Sequence, residues 1–332
     1  MSQTQRYSVL DRPPASLTAF FLRWEVILVG LLLMVVAVNT AISPYFLDVY
    51  NLSDATFNFS EKAILALAMA LLIIAREIDL SVAAIMAVSS LTMGLLAKAG
   101  FGTAALILAG LAVGALCGAL NGALVTIFSL PSIVVTIGTM SLFRGLAQVV
   151  LGDQALTKYP ARFSAIGQGY ILENVPIPIS FVVFLVLAAI CGFVLHRTTI
   201  GRRIFAIGHN PTAARFSGVK VDKIRFALFL TIGLMAGLAS VLLTGRIGST
   251  RPNIAQGWEL DIVTMVILGG ISISGGSGTI AGVVLSVLVL GLTTFGLSLV
   301  NVPGIVISIL TGILLIIAIS APIIAAGLTR RR

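Results

Sequence analysis

Residue types that could do chemistry are few in this chain of 332 residues, and they are widely spaced. The two histidines, His196 and His209, and the two cysteines, Cys117 and Cys191, have no carboxylates or thiols clustered around them. A zinc site needs three or four such ligands close together, so the sequence predicts no metal site. Two cysteines in apolar runs predict buried thiols and no disulfide framework. We assign no catalytic residue from the sequence.

Single charges inside long apolar runs are better candidates, because a charge within a membrane is costly and usually functional. Arg144 is the most isolated of them, and we expect it to face the protein interior or a wet cavity. Glu259 and Asp261 begin a later apolar run. Either could pair with Arg246 or Arg251, or contact a polar solute. The predicted substrate pathway consists of Asn121, Thr136, Thr139, Ser141, Arg144, Gln148, Glu259 and Asp261.

A second group of charges, Arg76, Glu77 and Asp79, lies in the segment AREIDLS (75–81). Charged residues beside a membrane span are functional by default. The alternative is a short turn whose charges are hydrated and paired with one another. The sequence leaves both interpretations open.

The glycine-rich run GGISISGGSGTIAG (269–282) is not a nucleotide site. A phosphate-binding loop of the Walker type needs a lysine followed by serine or threonine after its glycines, and this run has no lysine. The chain is therefore predicted not to hydrolyse ATP and to hold no cofactor of its own. No chain of buried acidic residues crosses successive spans, which disfavours a self-sufficient proton pump.

The composition places these residues in a membrane protein. Hydrophobic residues make up 58% of the chain and charged residues 10%, whereas a soluble domain carries about 25% charged residues. This excludes a soluble enzyme, a disordered chain and a nucleic-acid-binding protein, and it attributes the net charge of +9 to cationic loops. Backbone groups in lipid must pair internally, so the fold is predicted to be an all-α polytopic bundle. The ten predicted spans are 24–43, 61–76, 80–97, 104–128, 131–151, 178–196, 226–245, 258–272, 279–299 and 303–327.

An even number of spans puts both termini on one side of the membrane. With the N-terminus inside, the inner segments hold fourteen lysines and arginines and the outer segments hold six. Positive residues prefer the cytoplasmic side, so both termini are predicted to be cytoplasmic in a bacterial inner membrane. The predicted organisation is a cytoplasmic segment 1–23, a transmembrane domain 24–327 and a cytoplasmic tail 328–332.

Two patterns concern the helices themselves. Gly110, Gly114, Gly118 and Gly122 recur every four residues, which predicts either tight packing of another helix on that face or a gate along a pathway. The segments 71–90 and 265–286 share an Ile-x-Ile/Leu-Ser turn between two apolar helices. Such a match hints at a parallel internal repeat, an arrangement known in transporters.

Segment 197–225 is the one long basic stretch, with seven basic residues and a single acid, Asp222. Asn210 is a favourable helix cap and Pro211 a favourable first helical residue, so one or two short helices are predicted here. With the N-terminus in the cytoplasm, this segment also lies in the cytoplasm. We name it the coupling loop, because it is the only predicted cytoplasmic segment large enough to receive force from a partner.

Four runs in this sequence resemble a known family: 77–90, 121–147, 201–225 and 259–282. In this order they are similar to the membrane permease subunits of bacterial ABC importers for monosaccharides, the ribose-type family. Runs 52–63, 151–155 and 248–266 look most like rhamnose-importer permeases. The sequence departs from the ribose-type pattern at Ala75-Arg76-Glu77, where two glycines usually precede the Ile-Asp.

The resemblance implies a mechanism and partners. A periplasmic sugar-binding protein would deliver the sugar to two permease subunits, and two ATPase subunits using ATP and Mg would drive transport. The second permease would be another copy or a paralogue, and membrane lipid would surround both. The resemblance also implies that the coupling loop docks on the ATPase through Arg202, Arg203, Ile204, Phe205, Ile207, Gly208, Asn210, Pro211, Ala213, Ala214, Arg215, Phe216 and Gly218.

Within the coupling loop, Ile204, Phe205, Ile207 and Phe216 are predicted to form an apolar anchor, with arginines at its rim. The alternative is a loop that only fixes the orientation of the chain in the membrane and lies on anionic lipid head groups. Other functions remain open as well. They are import of autoinducer-2 or of another pentose or hexose, a self-contained secondary transporter, and a scaffold or intramembrane enzyme.

Overall fold

The structure, a computed structural model, describes residues 23–172 and 175–329. Of the predicted terminal segments 1–23 and 328–332, only residues 23, 328 and 329 are among the described residues. Within the described part, thirteen helices accompany one antiparallel hairpin, β1 Tyr170–Leu172 and β2 Val175–Pro178. The helices are α1 Trp24–Ile42, α2 Val49–Ile74, α3 Val82–Lys98, α4 Thr103–Thr126, α5 Ser132–Leu151, α6 Ala161–Gln168, α7 Ile179–Arg197, α8 Thr199–His209, α9 Pro211–Phe216, α10 Val221–Ile247, α11 Trp258–Leu268, α12 Ile280–Leu299 and α13 Gly304–Thr329.

The all-α membrane bundle is confirmed, and each predicted span coincides with a helix. Among the described residues, seven helices are long and apolar enough to cross a membrane: α1, α2, α4, α5, α7, α10 and α12. The predicted span 258–272 is wrong in its length. Helix α11 has 11 residues, about 16 Å at 1.5 Å per residue, which is only half of the hydrocarbon core. It ends because Gly270 takes φ +84°, a left-handed conformation that stops a helix.

Helix α2 forms the centre of the bundle. Its residues 63–74 and the following Ala75 are all at most 5% exposed, as expected for a helix that is apolar on every face. The helix begins at Val49, 12 residues before the predicted start at 61. Asp48 explains the earlier start, since its carboxylate accepts hydrogen bonds from the amides of Tyr50 and Asn51, at 3.0 and 3.1 Å.

Helices α4 and α10 pack backbone against backbone along the glycine row of α4. A Cβ atom on Gly114 would lie 2.7 Å from the Cα of Gly237, and one on Gly118 would lie 2.8 Å from the Cα of Gly233. A Cβ on Gly110 would meet the Met93 sulfur, and one on Gly122 would meet Phe229 and Phe226. The row therefore lies in a helix contact within this chain. Its partners Gly233 and Gly237 were not singled out from the sequence, although they too are four residues apart.

The bundle has two distinct ends. Helix α2 ends at Ile74, beside α8, the turn between α11 and α12, and the start of α1, where Trp24 donates to the carbonyl of Leu268 at 2.8 Å. We call this the α8 end. Helix α2 begins near the β-hairpin, where the Phe57 and Tyr170 rings are 5.6 Å apart, and we call this the hairpin end. The long helices run alternately between the two ends.

Candidate functional site

The coupling loop folds into α8 and α9, between α7 and α10, at the α8 end. The side chain of Thr198 accepts from the amide of Gly201 at 3.4 Å and caps α8. The side chain of Asn210 accepts from the amide of Ala213 at 3.0 Å and caps α9, which has Pro211 at its start. The prediction of one or two short helices with this cap is confirmed.

One face of α8 and α9 packs inside this chain. Ile204, Ile207 and Ala214 are at most 5% exposed, and Gly208 is also buried. A Cβ on Gly208 would collide with the carbonyl oxygen of Ile74 and approach the Cα of Gly276 to 2.7 Å. The prediction that Ile204 and Ile207 anchor a partner is therefore wrong, because helical periodicity shows an apolar face but not which neighbour covers it.

The opposite face is largely exposed and ends in an aromatic residue. Phe216 is 90% exposed, and Phe205 is half-buried against the His196 ring. Arg215 pairs with Asp222 at 2.5 Å on the surface. Five further predicted coupling residues are exposed: three on these helices, one between them and one after them, namely Arg202, Arg203, Ala213, Asn210 and Gly218.

The segment between α2 and α3 is not a hydrated turn. Glu77 and Asp79 are 6% and 0% exposed, and Glu77 lies 2.9 Å from Arg225 of α10. Arg76 bonds two backbone carbonyls and no carboxylate. The interpretation of hydrated, mutually paired charges is thus wrong. Burial raises the pKa of Glu77, and the hydrogen bond with Ser132 and the charge of Arg225 oppose that rise.

Asp79 organises the α8 end of the core. Its carboxylate accepts from the amide and hydroxyl of Ser81, at 2.8 and 2.6 Å, and from the amide nitrogen of Asn121 at 3.2 Å. Burial raises the pKa of Asp79, and these hydrogen bonds oppose the rise. Thr136 donates to the carbonyl of Ile78 at 3.4 Å. Two predicted pathway residues, Asn121 and Thr136, are thus buried and bonded to this segment.

Arg144 lies part-buried and points into the protein at the hairpin end of α5. Its guanidinium donates to the carbonyls of Pro252 and Ile254, both at 2.8 Å, in the loop between α10 and α11. Ser141, on the same helix, is exposed and bonds its own helix, whereas Thr139 is buried. A transport role for these residues stays a prediction.

Replacing Arg144 tests that role. We expect Arg144→Leu to insert normally but to lower uptake, because the two carbonyls lose their donor and the loop 249–257 loosens. A charged hydrogen bond contributes about 1.5–3 kcal/mol, and about 1.4 kcal/mol corresponds to a factor of ten, so uptake should fall by at least about tenfold. Solute uptake into cells and the amount of protein in the membrane are measured together. Arg162→Leu, an exposed arginine of α6, is the control. Unchanged uptake would leave Arg144 a structural role only.

The partners of the acidic pair on α11 differ from those predicted. Asp261 pairs with Lys62 at 2.5 Å, and Lys62 also lies 4.9 Å from the centre of the Trp258 ring. Arg246 pairs with Glu61 at 2.9 Å. The suggested pairing of Asp261 with Arg246 or Arg251 is therefore wrong. Adjacent charges at 61 and 62, at the start of a predicted apolar span, were the missed signal. The negative charge of Glu259 interacts electrostatically with Arg144.

A polar cleft opens beside Arg144 at the hairpin end. Its volume is about 630 Å³, and Gln148 of the predicted pathway lines it together with Asp153, Arg251 and Asn253. Carboxylate, guanidinium and amide groups in one cleft suit a polar solute with several hydroxyl groups. Among residues 23–172 and 175–329, no group of three or more histidine, cysteine, aspartate or glutamate side chains could hold a metal ion.

Comparison with known proteins gives a consistent result. The profile of the family described as "Branched-chain amino acid transport system / permease component" matches residues 51–319. The chain is 33% identical over 302 residues to the "Autoinducer 2 import system permease protein LsrD" of Escherichia coli (strain K12), Shigella flexneri and Escherichia coli O157:H7. These alignments cover 89% of this chain and 91% of each relative. No solved structure matches significantly.

Proposed function

We propose that this chain, which belongs to the permease-component family of bacterial ABC importers, conducts a monosaccharide or a related small polar solute across the inner membrane. Members of this family are transporter subunits and not enzymes. ATP is hydrolysed by a separate ATPase subunit, and a substrate-binding protein delivers the solute. The chain is accordingly a multi-pass membrane protein.

The observation that carries the proposal is the pair of short helices α8 and α9. They leave the bundle between two spanning helices, bury one face inside the chain and expose Phe216 and arginines on the other. An exposed aromatic surrounded by charge is typical of an interface hot spot. We assign this face to the ATPase subunit, which would hold ATP and Mg.

Two solutes are candidates. The runs that resemble rhamnose-importer permeases favour a rhamnose-like sugar, and the 33% identity to autoinducer-2 import permeases favours autoinducer-2. The polar cleft that holds Gln148 and Arg251 suits either, since both candidates require hydrogen-bonding groups.

The test is ATP-dependent uptake into liposomes that contain the permease, its ATPase and its binding protein. We expect labelled rhamnose or labelled autoinducer-2 to be taken up, with labelled ribose as the comparison sugar. Binding of each candidate to the isolated binding protein measures the choice directly. Uptake by the chain alone, driven by an ion gradient, would contradict the proposal and favour a secondary transporter.

We further propose that a second permease completes the path, with a paralogue favoured over a second copy, as the resemblance to rhamnose-type systems implies. Mass measurement of the purified complex separates the two: unequal permease masses support the paralogue, and a single permease mass supports the copy.

Both termini are proposed to lie in the cytoplasm. The fourteen-to-six distribution of lysine and arginine supports this, and the α8 end holds both the start of α1 and the basic helices α8 and α9. In intact cells, an impermeant thiol reagent should label Asp153→Cys and spare Lys220→Cys. The native Cys117 and Cys191 are buried, so background labelling of these two thiols should be low. Labelling of a cysteine added after Arg332 from outside would overturn the layout.

A further inference from the structure

Helices α2 and α11 are terminated in the same way, although the left-handed residue after the cap is an arginine in one and a glycine in the other. After α2, the amide of Arg76 bonds the carbonyl of Ile73 at 2.9 Å and the amide of Glu77 bonds Leu72 at 3.1 Å. After α11, Gly270 bonds Ile267 at 2.9 Å and Ile271 bonds Val266 at 3.3 Å. Both are Schellman motifs, with the first residue beyond the cap in the left-handed conformation, φ +66° for Arg76 and φ +84° for Gly270.

Glycine is the residue that this position favours. A left-handed arginine brings its Cβ close to the backbone, so it costs free energy that glycine avoids. The equivalent turn after α11 has glycine at that place. Arginine at position 76 therefore needs an explanation from its side chain.

The side chain of Arg76 joins three segments at the α8 end. Its Nε donates to the carbonyl of Ser274 at 2.7 Å, and its Nη2 donates to the carbonyl of His209 at 3.0 Å. Ser274 belongs to the turn between α11 and α12, and His209 is the last residue of α8. One guanidinium thus connects the turn after α2, the turn after α11 and the end of the first coupling helix.

Two glycines beside Arg76 leave the space that these contacts need. A Cβ on Gly275 would lie 2.5 Å from the Cγ of Arg76, and a Cβ on Gly276 would lie 2.8 Å from the Nδ1 of His209. Both glycines have φ +78°, and the amide of Gly276 bonds the carbonyl of Ile74 at 2.9 Å. The absence of side chains at these positions leaves room for the arginine stem and the end of α8.

We propose that Arg76 is a positioning residue that clamps the end of α8 to the turns after α2 and α11, so that movement of α8 reaches both. This inference rests on the proposed function of α8 as the contact with the ATPase. Arg76 lies at the surface, where its two bonds compete with water, so they contribute to position more than to stability. Only a guanidinium offers two separate nitrogens in a fixed fork, which a lysine lacks.

The test compares Arg76→Gly and Arg76→Asn with the unmodified complex of permease, ATPase and binding protein in liposomes. Glycine and asparagine both accept the left-handed conformation, and neither reaches the two carbonyls. We expect both variants to assemble, to keep basal ATP hydrolysis and to lose solute-stimulated hydrolysis and uptake by about fivefold or more. Stimulated hydrolysis and uptake in Arg76→Lys should lie between those of these variants and those of the unmodified complex. The control Arg162→Gln should behave like the unmodified complex.

A second measurement does not depend on transport. Amide hydrogen exchange in detergent should be faster at residues 205–210 and 274–277 in Arg76→Gly than in the unmodified chain. Wild-type stimulation in both variants, or wild-type exchange in Arg76→Gly, would overturn the inference. Loss of assembly in both variants would also overturn it, because Arg76 would then serve folding alone. Failure of the unmodified complex to transport would contradict the proposed function instead, while the exchange measurement would still test the clamp.

Discussion

Phe216→Asp is expected to prevent the ATPase subunit from co-purifying with this chain and to lower ATP-dependent uptake by at least about tenfold. Phe216 ends α9 with 90% of its side chain exposed, so the change removes no packing inside this chain. A buried aromatic anchor dominates most interfaces, and a carboxylate in its pocket would be desolvated without a partner. The measurement is affinity purification from membranes followed by solute-stimulated ATP hydrolysis.

Phe101→Asp is the matched control for this variant. Phe101 is 51% exposed in the loop between α3 and α4, at the hairpin end and far from α8. The Phe101→Asp variant should still co-purify with the ATPase subunit. Normal ATPase binding and hydrolysis in Phe216→Asp would reject docking through α9 and favour a loop that only contacts lipid head groups. Gly208→Asp would not answer the question, because a side chain at 208 collides with α2 and distorts this chain itself.

Gly114→Ala is expected to destabilise the isolated chain strongly. The added methyl would collide with the carbonyl oxygen of Gly233 and lie 2.7 Å from the Cα of Gly237, both rigid backbone atoms. Helices α4 and α10 would have to separate along their whole contact. Overpacking of this kind lowers the free energy of unfolding by about 3 kcal/mol. Thermal unfolding of the purified chain in detergent should show a melting temperature lower by several degrees.

Gly138→Ala is the control for backbone entropy. Gly138 also lies within a long helix, α5, but a Cβ there would meet nothing within 4 Å. Alanine in place of glycine should raise stability by about 0.4–1 kcal/mol at such a site. Equal melting temperatures for the two variants would mean that α4 and α10 are not in backbone contact.

Features that depend on neighbours along the chain could be predicted from the sequence. The excess of apolar over charged residues determined the membrane class, and long apolar runs located ten of the helices. The pair Asn210-Pro211 determined where α9 begins, because a cap acts on an amide three residues away. The four-residue spacing of glycines in α4 marked a face for close approach.

Features that depend on distant partners required the tertiary structure. The apolar residues of α8 and α9 were visible, but packing within this chain decided that Ile204 and Ile207 face inward and Phe216 outward. Asp261 pairs with Lys62, 199 residues away, because α2 and α11 pack against each other. Arg76 stood out as a departure from the ribose-type pattern, yet its two carbonyl partners are 133 and 198 residues distant. Local periodicity and capping act within a few residues, whereas the pairing of buried and polar groups is set by which helices pack together.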